Sequence, residues 1–176
     1  NEPMTSETLA VRPIDGLDFL GNFTWRESGD YRNGSGDRID NTTVDSKNGL
    51  MKLGIEPGEG QRVELSGIIY ADDEGITATD VDNGNAEYQA DHHIRKTTAS
   101  AHYTFDSPKT DLINLSATAY RDATTVADYG GDYPRDTKAE LTTTGLDLFN
   151  TFKFKTAWAD HAVTLGTEYY HDAGKG

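Results

Sequence analysis

"GLMKLGIEPGEGQRVELSGIIYADDEG", residues 49–75, is the stretch whose reading decides the fold. Pro57, Gly58, Glu59 and Gly60 form a turn signal between two arms. Met51, Leu53 and Ile55 occupy odd positions on the first arm, and Val63, Leu65, Gly67, Ile69 and Ala71 on the second. Lys52, Gly54, Glu64, Ser66, Ile68 and Tyr70 hold the even ones. A strand alternates faces with period two, so each arm has one apolar face and one mostly polar face. The apolar face lies against either a protein core or lipid.

The same alternation recurs outward from this hairpin. Phe19, Gly21, Phe23 and Trp25 oppose Asp18, Asn22, Thr24 and Arg26; Ala99, Ala101, Tyr103 and Phe105 oppose Ser100, His102 and Thr104. Ile113, Leu115, Ala117 and Ala119 oppose Asn114, Ser116, Thr118 and Tyr120. Leu146, Leu148, Phe152 and Phe154 oppose Asp147, Phe149, Thr151 and Lys153, with Asn150 an exception on the apolar side. Val163, Leu165 and Tyr169 oppose Thr164, Gly166 and Glu168. The pattern predicts an all-β chain of about eight strands, at 5–12, 17–27, 47–56, 61–72, 93–105, 111–121, 141–155 and 161–171.

Two kinds of connection alternate between these strands. "PIDG" (13–16), "PGEG" (57–60), "DSPKT" (106–110) and "TAWAD" (156–160) are short, whereas 28–45, 72–91 and 122–140 are long. Strict alternation predicts an antiparallel up-and-down meander with every long loop at one end, the pattern of a transmembrane β-barrel. The three long loops hold 16 acidic and 4 basic residues, which places −12 of the formal charge of −14 at that end.

Composition narrows the alternatives. A net charge of −14 argues against nucleic acid as a partner. The absence of cysteine excludes disulfides and thiol catalysis. The chain has no apolar run of the ~18 residues that a membrane helix needs, and residues 1–13 do not read as a signal peptide. No G-x-S-x-G elbow, H-E-x-x-H pair, P-loop or dinucleotide fingerprint is present, so the chain does not read as an enzyme.

"LDFLGNFTWRESGDYRNGSGDRIDNT" (17–42), "SKNGLMKLGIEPGEGQRVELSGIIY" (46–70) and "HHIRKTTASAHYTFDSP" with "DLINLSATAYRDATT" (92–125) resemble the barrel of TonB-dependent outer-membrane receptors, in the branch that takes haem or haemoglobin. The resemblance implies a larger barrel of about 22 strands with a plugged lumen. It implies residence in a bacterial outer membrane, among lipid and lipopolysaccharide. It also implies import of a scarce nutrient such as haem or an iron complex, taken free or from a carrier protein, with energy from the TonB protein acting through a plug region. Residues 1–176 read as an internal part of such a barrel domain, since no plug or TonB box is recognisable in them. The alternative is a soluble β-rich binding or adhesion module.

The long loops 28–45, 72–91 and 122–140 are the expected ligand contacts. Within "DDEGITATDVDNGNAEY" (72–88), Asp80, Asp82 and Asn85, with Asp72 and Asp73 nearby, offer the hard oxygen ligands that calcium prefers, without EF-hand spacing. His92 and His93 read as a solvated loop edge, because adjacent strand residues face opposite ways. His102 reads as a hydrogen-bonded residue of the polar face, His161 as part of a short turn. Trp25, Tyr31, Tyr70, Tyr169, Tyr170 and His171 suit an aromatic rim at a membrane interface.

Overall fold

Alternating β-branched and aromatic residues, cut by Gly-, Pro- and Asp-bearing turns, produce strands as the one kind of regular element among the described residues. The computed structural model describes residues 2–79, 87–130 and 136–176. Its elements are β1 (Met4–Ile14), β2 (Leu17–Ser28), β3 (Val44–Gly58), β4 (Gln61–Thr79), β5 (Glu87–Asp106), β6 (Asn114–Tyr129), β7 (Thr137–Lys155) and β8 (Asp160–Lys175). They form one antiparallel sheet in chain order. Among the described residues, contacts between strands join only neighbours, so β1 and β8 do not meet and the sheet is open.

The turns follow their residues. Gly16 and Gly60 take φ of 77° and 70° in the connections after β1 and β3, a left-handed conformation that favours glycine. The connection after β5 is wider than the "DSPKT" reading, and β6 starts at Asn114 rather than 111. Asn150 is the cause: its side chain accepts from the Asn114 amide (3.0 Å) and donates to the Leu112 carbonyl (3.0 Å). The polar exception on the apolar face thus takes up backbone groups where the β6 ladder begins.

The larger correction concerns the long connections. Residues 72–79 and 87–91 belong to β4 and β5, and 122–129 and 137–140 to β6 and β7. The loops expected at 72–91 and 122–140 are therefore mostly strand. Backbone pairing carries on there although the side-chain alternation that marks a strand has faded: β4 pairs with β5 in unbroken register from Gln61 to Thr79. The connection from 29 to 43 is a true loop, with a small bridge between Arg32 and Arg38.

Candidate functional site

The register assembles the two faces from all eight strands. Val11, Phe19, Leu53, Leu65, Ala101, Ala119, Leu146 and Tyr169 form one lateral row, apolar or aromatic from edge to edge. Rows on either side add Met51, Ile69, Ile55, Leu148 and Leu165. Nothing covers this face: Met51 is 62% exposed and Leu165 63%. Among the described residues only Ala90 and Ala127 are buried apolar side chains.

The limits of the apolar band cut diagonally across the hydrogen-bonded rows. Trp25 is its upper limit on β2, on the side of the long connections, and Trp25's row runs through Lys47, Ala71, Arg95, Thr125 and Glu140 to Lys175. On β8 the upper limit is Tyr169, six residues nearer the short turns than Lys175. The lower limit moves the same way, from Leu17 on β2 to Phe154 on β7, which lies six residues beyond Leu148 in Leu17's row. The slip is about one residue per strand. With ~3.3 Å per residue against ~4.8 Å between strands, a level apolar layer would cross strands tilted by about 35°. Leu17–Trp25 and Leu146–Phe154 are each nine residues long, close to the ~9–11 of a tilted transmembrane strand.

The opposite face is polar and internally paired. Arg62 donates to both oxygens of Asp18 (2.8 and 3.0 Å) and reaches Glu56 (3.4 Å). Lys52 donates to Glu64 (2.9 Å), and Thr98 (2.6 Å) and Lys96 (3.2 Å) converge on Asp122. Ser66 bonds Ser100 (2.7 Å), and His102 bonds Thr118 (2.9 Å) as expected for a polar-face histidine. These links join β2 through β6 in a paired polar network suited to contact with water, while on β7 of the same face Asp147 Oδ1 is buried without a hydrogen-bond partner.

Beyond the apolar band the long-connection end forms a rim. Asp30 organises the 29–43 loop: its carboxylate accepts from the Thr42 amide (2.8 Å) and from Arg38 Nε (2.8 Å), and its side chain is 5% exposed. The Thr42 amide and then the Arg38 guanidinium hold the Asp30 carboxyl below the usual carboxylate range. In the "NGSG" turn, Asn33 Oδ1 accepts from the amides of Ser35 and Asp37 (2.9 Å each). Asn41, at φ 58°, donates to the carbonyls of Ile76 (3.2 Å) and Ala90 (2.9 Å), which fastens the loop to β4 and β5. Gly75 permits this crossing, since a Cβ there would stand 2.5–2.6 Å from Asn41.

Several expected site residues change setting. His92 and His93 are not a solvated loop edge. They lie in β5 on opposite faces, in register with Asp128 of β6 and Asp73 of β4, and bond to those carboxylates. Arg95 adds two bonds to Asp73 (2.6 and 2.8 Å). Asp72 and Asp73, offered as neighbours of a calcium loop, are strand residues on opposite faces, with Asp72 buried. Asp80, Asp82 and Asn85 lie outside the described residues. Among the described residues no three His, Cys, Asp or Glu side chains are grouped to hold a metal. His161 stacks on Phe154 (4.9 Å between centroids) and meets Trp158 edge-on (5.1 Å) beside its turn.

The Asp30 hub and the Asn41 clasp escaped sequence reading, although "NGSG" marked a turn beside them. Their partners lie up to 49 positions away in the chain. The class these features define is an open, up-and-down antiparallel sheet with one exposed apolar face and one paired polar face. Compared with models of known protein families and with curated proteins, the chain matched none.

Proposed function

We propose that this chain is a section of the transmembrane β-barrel of a bacterial outer-membrane receptor of TonB-dependent kind. Its apolar face meets lipid, its polar face lines the lumen, and its loop-bearing rim faces outward to meet a bulky nutrient such as haem or an iron complex. Energy for import comes from the TonB protein through a plug region. The observation that carries the membrane part is the apolar band itself, about nine residues tall and slipping about one residue per strand, as a lipid layer would impose on tilted strands. The two open sheet edges support a larger barrel, because unpaired strand edges in hydrocarbon are closed by further strands. The likeness of residues 17–70 and 92–125 to TonB-dependent receptors supports the receptor class.

Nitroxide scanning tests the membrane part. Labels at Met51, Leu65 and Leu146 in lipid vesicles should be reached by oxygen and protected from a polar nickel reagent. Labels at Glu64, Ser66 and Asp147 should show the reverse. Equal access of the nickel reagent to both sets would refute the reading and favour a water-soluble module. Haem and ferric-complex titrations against the vesicle-inserted protein, with Tyr31→Ala and Arg38→Ala as rim variants, test the receptor part; absence of any binding would remove it.

A further inference from the structure

Asn-Gly pairs occur in the chain at 33–34, 48–49 and 83–84. The last lies outside the described residues, and the other two have opposite settings. Asn48 and Gly49 belong to β3 and are paired on both sides, Asn48 with Thr24 and Tyr70, Gly49 with Phe23 and Ile69. Two ladders hold their backbone extended. Asn33 and Gly34 are exposed in the 29–43 loop. A Cβ built on Gly34 would meet nothing within 4 Å.

The turn around Asn33 prepares its side chain for attack. Asn33 Oδ1 accepts from the amides of Ser35 and Asp37, both at 2.9 Å. Donors fixed on a carbonyl oxygen stabilise the negative charge it gains when a nucleophile adds to its carbon. The main chain closes around the same residue: the Asn33 amide donates to the Asp37 carbonyl (2.9 Å), and the Gly36 amide donates to the Asn33 carbonyl (3.0 Å). Asn33 Nδ2 donates to Asp37 Oδ2 at 3.4 Å. Among the described residues the Gly34 amide has no acceptor, so the nitrogen next to the polarised carbon is free.

We propose that Asn33–Gly34 is a site of spontaneous covalent modification, at which the loop promotes conversion of the side-chain amide to a carboxylate. The Gly34 backbone nitrogen adds to Asn33 Cγ and gives up its proton. The Cγ–Nδ2 bond breaks, ammonia leaves with that proton, and a succinimide ring closes. Water then adds to one of the two ring carbonyls and opens the ring to aspartate or to isoaspartate, whose main chain runs through Cγ. Water is consumed, ammonia is released, and nothing is oxidised or reduced. Both products work against the loop. In aspartate a carboxylate oxygen replaces the Nδ2 that donates to Asp37, so two carboxylates face each other. In isoaspartate the main chain gains a methylene inside the turn that sets the Arg32–Arg38 bridge. Either change draws Arg38 from Asp30, while Asn41 keeps its bonds to β4 and β5. The rim loop thus carries a slow, one-way release of its Arg38 end.

The test incubates the full chain in maltoside micelles at neutral and mildly alkaline pH and follows both pairs by peptide mass spectrometry. Asn33 should be lost about tenfold faster than Asn48, or more, because the Asn48 backbone opens only with the ladders of β3. Asn33 should also be lost faster in the folded chain than in urea, where the two pairs convert alike. Gly34→Ala, whose Cβ the loop accommodates, should slow the loss by about tenfold, since a side chain restricts the approach of the attacking nitrogen. Asn33→Asp, which is one of the two products, should raise hydrogen exchange across residues 31–39 by about tenfold. It should leave the Gly75 amide, bonded to the Thr43 carbonyl, protected. Asn33 retained as long as Asn48, loss slower in the folded chain than in urea, or loss unchanged in Gly34→Ala would overturn the proposal. Unchanged exchange in Asn33→Asp would overturn the release of the loop. The comparison with urea needs no variant. None of these readouts depends on what the two faces of the sheet meet, so this proposal and the receptor reading fail separately.

Discussion

The half of the sheet near the short turns and the half near the long connections share one backbone ladder, yet their side chains obey different rules. In the first half the faces are unlike apart from single exceptions such as Ile68, Phe149 and Asn150, with Leu65 beside Glu64 and Leu146 beside Asp147. In the second, β4 continues eight residues past Ala71 to Thr79, while the side chains of Asp72, Asp73, Glu74 and Thr77 put polar groups on both faces. Strand pairing is a property of the backbone, whereas alternation records two different surroundings. Where both faces carry polar side chains, the ladder persists and the alternation disappears. The halves also differ in what is added to the ladder, a layer of apolar side chains in one and individual contacts such as Asp30–Arg38 and His93–Asp73 in the other.

The comparison predicts that damage in the first half is global and damage in the second local. The largest effect is expected at Gly60, where φ is 70° and a Cβ would lie 1.9 Å from the Asp106 carbonyl oxygen. Gly60→Val combines left-handed strain with a backbone clash and should cost about 4 kcal/mol or more, read by urea unfolding in micelles. An unchanged midpoint would show that the turn does not fix the β4–β5 register. Leu65→Arg comes next, at about 2–4 kcal/mol if its face meets hydrocarbon. Its control is the neighbouring Glu64→Gln on the polar face. That change gives up the part-exposed Lys52 pair and a longer one to Arg62 (3.9 Å), and should cost about 1 kcal/mol or less. Similar losses for both would erase the distinction between the faces.

In the second half, Gly75→Val should push Asn41 off β4 and release the 29–43 loop. Hydrogen exchange should then rise across residues 29–43 by about tenfold or more, with the global midpoint nearly constant. A fall in the global midpoint as large as that of Leu65→Arg would merge the two halves into one cooperative unit. The smallest effect is the pH response of Asp30. Its folded carboxyl sits below the ordinary value, so its contribution is present above about pH 4 and is lost as pH falls through the lowered folded value. Amide protection at Thr42 should hold from pH 7 to about pH 4, disappear on further acidification, and be weak at all pH values in Asp30→Asn. Protection unchanged at the lowest pH would show that the Arg38 and Thr42 contacts do not order the loop.

The eight strands, their order and the identity of each face were legible in the residues, because period-two alternation and turn chemistry are local signals. Phe19, Leu53 and Leu65 could each be assigned to the apolar face from immediate neighbours alone. What only the tertiary structure decided was register, and with it everything set by comparison between strands: the apolar row from Val11 to Tyr169 and the slip that separates Tyr169 from Lys175. The rim was likewise beyond local reading, since β4 past Ala71 has no alternation to announce it and His93, Asp73 and Arg95 meet only through pairing of β4 with β5. Side-chain pattern travels along one strand; register is fixed between strands, by backbone hydrogen bonds that carry no residue identity.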